Sequence, residues 1–112
     1  GWHFDNASFA ITLMIQRPKA GGNFQYVIGA RNVEKNTVNI QLINSVLQNK
    51  HSVEELRGEE GTLVLFCGRN YLHSVIPVTS KRSRILATLN YNLEKNIELS
   101  ENVRLTFFGR LH

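Results

Sequence analysis

Between Ser8 and Gln16 the apolar residues Phe9, Ile11, Leu13 and Ile15 alternate with Ala10, Thr12, Met14 and Gln16. A period of two belongs to an extended strand, whose successive side chains point to opposite faces. One face is therefore strongly apolar, and the other is smaller and partly polar. Pro18 and Gly21-Gly22 break the pattern and Asn23 to Val27 resumes it, which predicts a hairpin of two strands joined by a loop. From Val38 to Leu47 the period changes: Val38, Leu42, Ile43, Val46 and Leu47 fall at helical spacing, predicting one amphipathic helix that covers the strands. After the polar stretch Asn49 to Gly61 come three further strands, Thr62 to Cys67, Tyr71 to Val78 and Arg84 to Tyr91, and a short one from Val103 to Phe108. Strands this dense, with a single helix among them, favour a mostly β jelly roll (a double-stranded β-helix) with one covering helix. A parallel α/β layer would need more crossover helices.

A chain of 112 residues with 42% hydrophobic residues can fill one core, so residues 1–112 are read as one domain. The formal charge is +4, but the cations lie in separate small groups: Arg17 with Lys19, Arg31 with Lys35, and Lys81, Arg82 and Arg84. Scattered charge of this kind is a solvated surface rather than a nucleic-acid stripe, so nucleic acid is disfavoured as a partner. The single cysteine, Cys67, rules out an intrachain disulfide and fits a reducing, cytoplasmic setting. The longest apolar run, Leu63 to Cys67, is too short to cross a bilayer. The sequence opens on Gly1 rather than Met, and the domain is expected to lack its N-terminal part.

The one aspartate of the chain, Asp5, lies two residues after a histidine in Trp2-His3-Phe4-Asp5. On an extended backbone His3 and Asp5 point to the same face and can converge on one ion. His73, in the apolar strand Tyr71-Leu72-His73-Ser74-Val75, is the third candidate ligand. Two imidazoles and a carboxylate on one side of a metal suit iron(II), with positions left open for a co-substrate and dioxygen. Arg82 and Arg84 follow His73 by nine and eleven residues. That spacing puts one of them on the next antiparallel strand, where its planar fork could bind a carboxylate in the same cavity.

These pieces together resemble the iron(II)- and 2-oxoglutarate-dependent dioxygenases, specifically the prolyl-hydroxylase-like branch. The matching residues are His3-Phe4-Asp5-Asn6, the strand to Gln16, Gly21-Gly22 before Phe24, Glu60 to Phe66, His73 with Pro77, and the arginine-bearing strand. The resemblance implies Fe(II) held by His3, Asp5 and His73. It also implies 2-oxoglutarate anchored by Arg84 or Arg82, with Arg84 preferred because Ile85-Leu86-Ala87 follows it directly. Gln16 stands where such enzymes often place a tyrosine that touches the same carboxylate. Related halogenases replace the aspartate with a residue lacking a carboxylate, so Asp5 points to hydroxylation by dioxygen of a small molecule or amino acid. A prolyl hydroxylase acting on peptide or protein, and a non-catalytic jelly-roll binding module, are the alternatives. Arg31 is either a surface arginine or a substrate anchor at the barrel mouth, and Trp2 and Tyr26 either line the pocket or pack in the core.

Overall fold

The computed structural model describes residues 1–92 and 102–104. The alternating segment is β1 (Phe9–Gln16), followed by β2 (Phe24–Val27), β3 (Arg31–Asn32), β4 (Thr37–Val38), α1 (Ile40–Leu47), β5 (Glu54–Leu56), β6 (Leu63–Phe66), β7 (Leu72–Val75), β8 (Ile85–Tyr91) and β9 (Asn102–Arg104). They form a four-stranded sheet in the order β6-β1-β8-β9, a three-stranded sheet β5-β2-β7, and the ribbon β3-β4. All of these pairings are antiparallel. The architecture is mostly β with one helix, and the described residues make separate small sheets rather than a closed barrel.

The expected hairpin of β1 and β2 does not form. β1 pairs with β6 and β8, whereas β2 pairs with β5 and β7, so the loop between them carries the chain from one sheet to the other. Gly21 and Gly22 sit at φ of 71° and 74°, a region costly for any residue with a side chain. At Gly21 a side chain would also overlap the carbonyl oxygen of Pro77. The loop bonds outward instead of back on itself: Gly22 N–H donates to the Ile76 carbonyl at 2.8 Å, and Thr79 N–H to that of Ala20 at 3.1 Å.

The helix begins two residues later than its apolar spacing suggests. Val38 belongs to β4, and Asn39 caps the helix by accepting from Leu42 N–H at 3.1 Å. Val46 of α1 packs with Val27, Ala30 and Leu72 in a small core, flanked by Trp2, Phe4, Leu42, Ile43 and Val53. Val27 and Leu72 are register partners in the three-stranded sheet, so the helix covers one face of it. Their neighbours Tyr26 and His73, also partners, therefore point to the other face. β5 was hidden in the polar stretch because Glu54 and Glu55 are poor strand formers; it survives as an exposed edge strand. Of the strand expected from Val103 to Phe108, the part beyond Arg104 lies outside the described residues.

The two faces of β1 take unequal places. Its smaller face, with Ala10, Thr12 and Met14, lines a cavity of about 400 Å³. The strongly apolar face looks outward beside Leu63 and Leu65 of β6, which are 68% and 65% exposed. Across the cavity stand Phe24, His73 and Val75 of the three-stranded sheet. No helix among the described residues is long and apolar enough to cross a membrane.

Candidate metal centre

His3 and His73 face each other across an isolated antiparallel bridge, in which each backbone N–H donates to the other's carbonyl at 3.0 Å. This reciprocal pair brings residues 70 positions apart in sequence to adjacent points and holds the ring centroids 4.2 Å from one another. Asp5 lies two residues along the same segment, its N–H donating to the Gly68 carbonyl at 3.0 Å. Its Oδ1 is 3.4 Å from Nε2 of His3 and 3.3 Å from Nε2 of His73. One ligand atom from each of the three lies within 4.8 Å of the others, so the group can hold a metal ion.

Both rings are turned by their other nitrogen. Nδ1 of His3 is 2.8 Å from the Gly1 carbonyl, and Nδ1 of His73 is 2.8 Å from that of Tyr71. A carbonyl can only accept, so each Nδ1 carries the proton, and in a neutral ring the lone pair is on Nε2. Two lone pairs and a carboxylate oxygen thus converge on one point, an arrangement that repels itself unless a cation stands there. It is a donor set that can hold a divalent metal. His73 is buried, with its ring seated edge-on to Phe66 at 4.8 Å and beside Phe24 at 5.5 Å, whereas His3 stands at the exposed rim. Hydrogen bonding from His73, aided by the charges of His73 and His3, holds the Asp5 carboxyl below its ordinary range against the opposing effect of burial.

Arg84 enters the same cavity from the segment just before β8. It is 6% exposed, its Nε has no hydrogen-bond partner, and no carboxylate meets it among the described residues. Burial alone pushes its pKa down. A guanidinium nonetheless stays charged in a protein, so it calls for an anion. Arg82 lies outside the cavity lining. It is exposed, donating to Glu60 at 2.8 Å and to the Arg17 carbonyl at 3.0 Å in a surface network that Arg17 and Glu59 extend. Gln16 is also off the lining, its amide donating to the Ser83 carbonyl at 2.9 Å beside a register shift in β1.

Comparison with known families now bears on this cluster. A family model described as Halogenase D matches residues 1–105. The chain belongs to the halogenase D family. The match includes all three candidate ligands and Arg84, and the family's description is that of an enzyme. No curated protein and no solved structure gives a significant match. The halogenase D assignment does not identify a prolyl-hydroxylase-like branch, and its description names the reaction that a retained Asp5 was expected to disfavour.

In this halogenase D member several cavity residues escaped the reading of the sequence. Thr88 lines the wall between Leu86 and Asn90, and its hydroxyl is buried without a partner among the described residues. Thr12 is its register partner on β1 and also lines the cavity. Strand alternation could have found both, since Arg84, Leu86, Thr88 and Asn90 share one face. Arg31 is engaged elsewhere: it lies 5.1 Å over the Phe4 ring and donates to the Arg69 carbonyl at 3.0 Å. Trp2 packs against the core, Tyr26 packs among Phe24, Phe66 and Tyr71, and neither lines the cavity.

Proposed function

We propose that this chain is the catalytic part of an iron(II)- and 2-oxoglutarate-dependent oxygenase that hydroxylates an unactivated C–H bond of a small molecule or amino acid. The observation that carries the proposal is the buried Arg84, whose Nε meets no hydrogen-bond partner and which meets no carboxylate among the described residues, in the same cavity as the His3, Asp5 and His73 cluster. A buried cation without a counterion is costly, on the order of several kcal/mol, and an anionic ligand removes that cost. A dicarboxylate keto acid offers one end for a metal and another for a guanidinium.

In this reading His3, Asp5 and His73 hold iron(II), and Arg84 binds the far carboxylate of 2-oxoglutarate as a bidentate partner. Arg82 and Gln16 stay outside that contact, each already bonded to the backbone. The two facing sheets are read as parts of a double-stranded β-helix. Bound iron with 2-oxoglutarate supplies the activation of dioxygen. The chain's own work is positional. The carbonyls of Gly1 and Tyr71 aim both Nε2 atoms inward, Phe24 and Phe66 pack round His73 and keep water from its ring, and Thr12 and Thr88 offer hydroxyls to a ligand on the cavity wall.

Membership of the halogenase D family favours a second reading, halogenation. Against it, Asp5 keeps a carboxylate within 3.4 Å of both histidines, in the place a halide would need. The test is anaerobic reconstitution with iron(II), then exposure to dioxygen, 2-oxoglutarate and excess chloride, with panels of free amino acids and peptides. Hydroxylation is expected: iron-dependent succinate release and a product that gains one oxygen atom. A chlorinated product would establish the second reading, and the absence of iron-dependent 2-oxoglutarate turnover would remove both.

A further inference from the structure

We propose that Gly68 is a positioning residue of the metal centre, because the side chain it lacks leaves the space in which the Asp5 carboxylate stands. The inference rests on the reading of His3, Asp5 and His73 as a metal site. Gly68 is buried just beyond the end of β6, and its carbonyl accepts the Asp5 N–H at 3.0 Å. A Cβ built on Gly68 would lie 2.6 Å from Cγ of Asp5 and 3.0 Å from its Cβ, and would overlap Oδ2. Backbone conformation does not explain the glycine. Gly21, Gly22, Gly29 and Gly61 hold positive φ, and Gly68 is not among them. The requirement is for space alone.

The direction of that space matters. Oδ1 is the oxygen that faces both histidines, while Oδ2 is the one against Gly68. Gly68 thus backs the carboxylate and leaves Oδ1 turned to the ligand cluster. An alanine would force either the Asp5 side chain or the backbone to move. The backbone is tied by the Asp5 to Gly68 bond and by the reciprocal His3 and His73 pair. The side chain, with free rotation about its own bonds, yields more easily. A ligand displaced by even a few tenths of an ångström falls outside the tolerance of metal bonds, about ±0.2 Å.

The test is anaerobic equilibrium dialysis against iron(II), and separately cobalt(II), with metal quantified in wild type, Gly68→Ala, Asp5→Gly and the double variant. Thermal unfolding of each is recorded without metal. Gly68→Ala is expected to weaken metal binding by about tenfold to a hundredfold, the usual effect of disturbing a group that orients a ligand. In the Asp5→Gly background it is expected to change neither affinity nor unfolding, since the group it displaces is gone. If Gly68→Ala alone fails to fold, the double variant should regain the fold; a double variant that stays unfolded would overturn the inference. Equal affinity of wild type and Gly68→Ala would overturn it as well, as would an equal loss in both backgrounds. A wild type that binds neither metal would overturn the metal-centre reading itself, and this inference with it.

Discussion

Replacing Arg84 with methionine separates a ligand-binding cation from a structural one. Methionine keeps much of the apolar stem and removes the guanidinium. Arg84 is 6% exposed, and none of the described carboxylates pairs with it. Among the described residues its charge is therefore uncompensated in the ligand-free protein, and its removal should leave stability unchanged or raise it by up to about 2 kcal/mol. The opposite sign is expected for co-substrate binding. Two charge-assisted hydrogen bonds of about 1.5 kcal/mol each amount to about 3 kcal/mol, or roughly a hundredfold in affinity. Stability is read from urea unfolding of metal-free protein. Affinity is read from anaerobic titration of the iron-loaded protein with 2-oxoglutarate, through the weak charge-transfer absorption expected on binding. A variant that unfolds more easily by over about 2 kcal/mol, yet binds 2-oxoglutarate as wild type does, would show that Arg84 holds the fold and not the ligand.

Other residues give sharper local tests. Phe66→Ala removes a half-buried ring that meets His73 at 4.8 Å and Phe24 at 4.6 Å, and should cost about 2 kcal/mol in chemical unfolding while also weakening metal binding. Asn39→Ala removes the helix cap and should cost about 1 kcal/mol in thermal unfolding, with metal affinity unchanged because α1 packs on the far face of the sheet. The Asp5 carboxyl titrates below its ordinary range, so its stabilising contribution is fully present above the unfolded value of about 3.9 and is lost as pH falls through the lower folded value. Metal-free Asp5→Asn should therefore show a flatter decline of unfolding midpoint than wild type on acidification below about pH 4. Glu60→Gln breaks the exposed pair with Arg82 and should leave the unfolding midpoint almost unchanged, with any small difference erased by salt.

Much of the candidate site was legible before any coordinates. The His3 and Asp5 spacing needs only an extended backbone to put both groups on one side. The apolar setting of Tyr71 to Val75 placed His73 in the interior, where it is found. The apolar run Ile85-Leu86-Ala87 favoured Arg84 over Arg82, but no local pattern showed where each side chain ends. Both occupy one turn-rich segment of similar composition, and their fates differ only because Glu60 and the Arg17 carbonyl, remote in sequence, meet Arg82 at the surface. Nor did any local pattern show that the Gln16 amide donates to the Ser83 carbonyl, just before β8.

The fold divides along similar lines. Hydrophobic period alone determined that β1, β2, β6, β7 and β8 are strands and that α1 is a helix, since side-chain alternation is a local property of the backbone. Pairing was decided by tertiary structure. Adjacent strands suggested a hairpin, but Ala20 and Gly22 bond to the segment after β7, so β1 and β2 enter different sheets. The face that lines the cavity was decided the same way. Composition marked Phe9, Ile11, Leu13 and Ile15 as the more apolar side of β1, yet the cavity is lined by Ala10, Thr12 and Met14. The residue types made His3, Asp5 and His73 candidate ligands. Only the bridge between residues far apart in the chain brought the three within reach of one ion, because that distance is a property of packing and not of order along the chain.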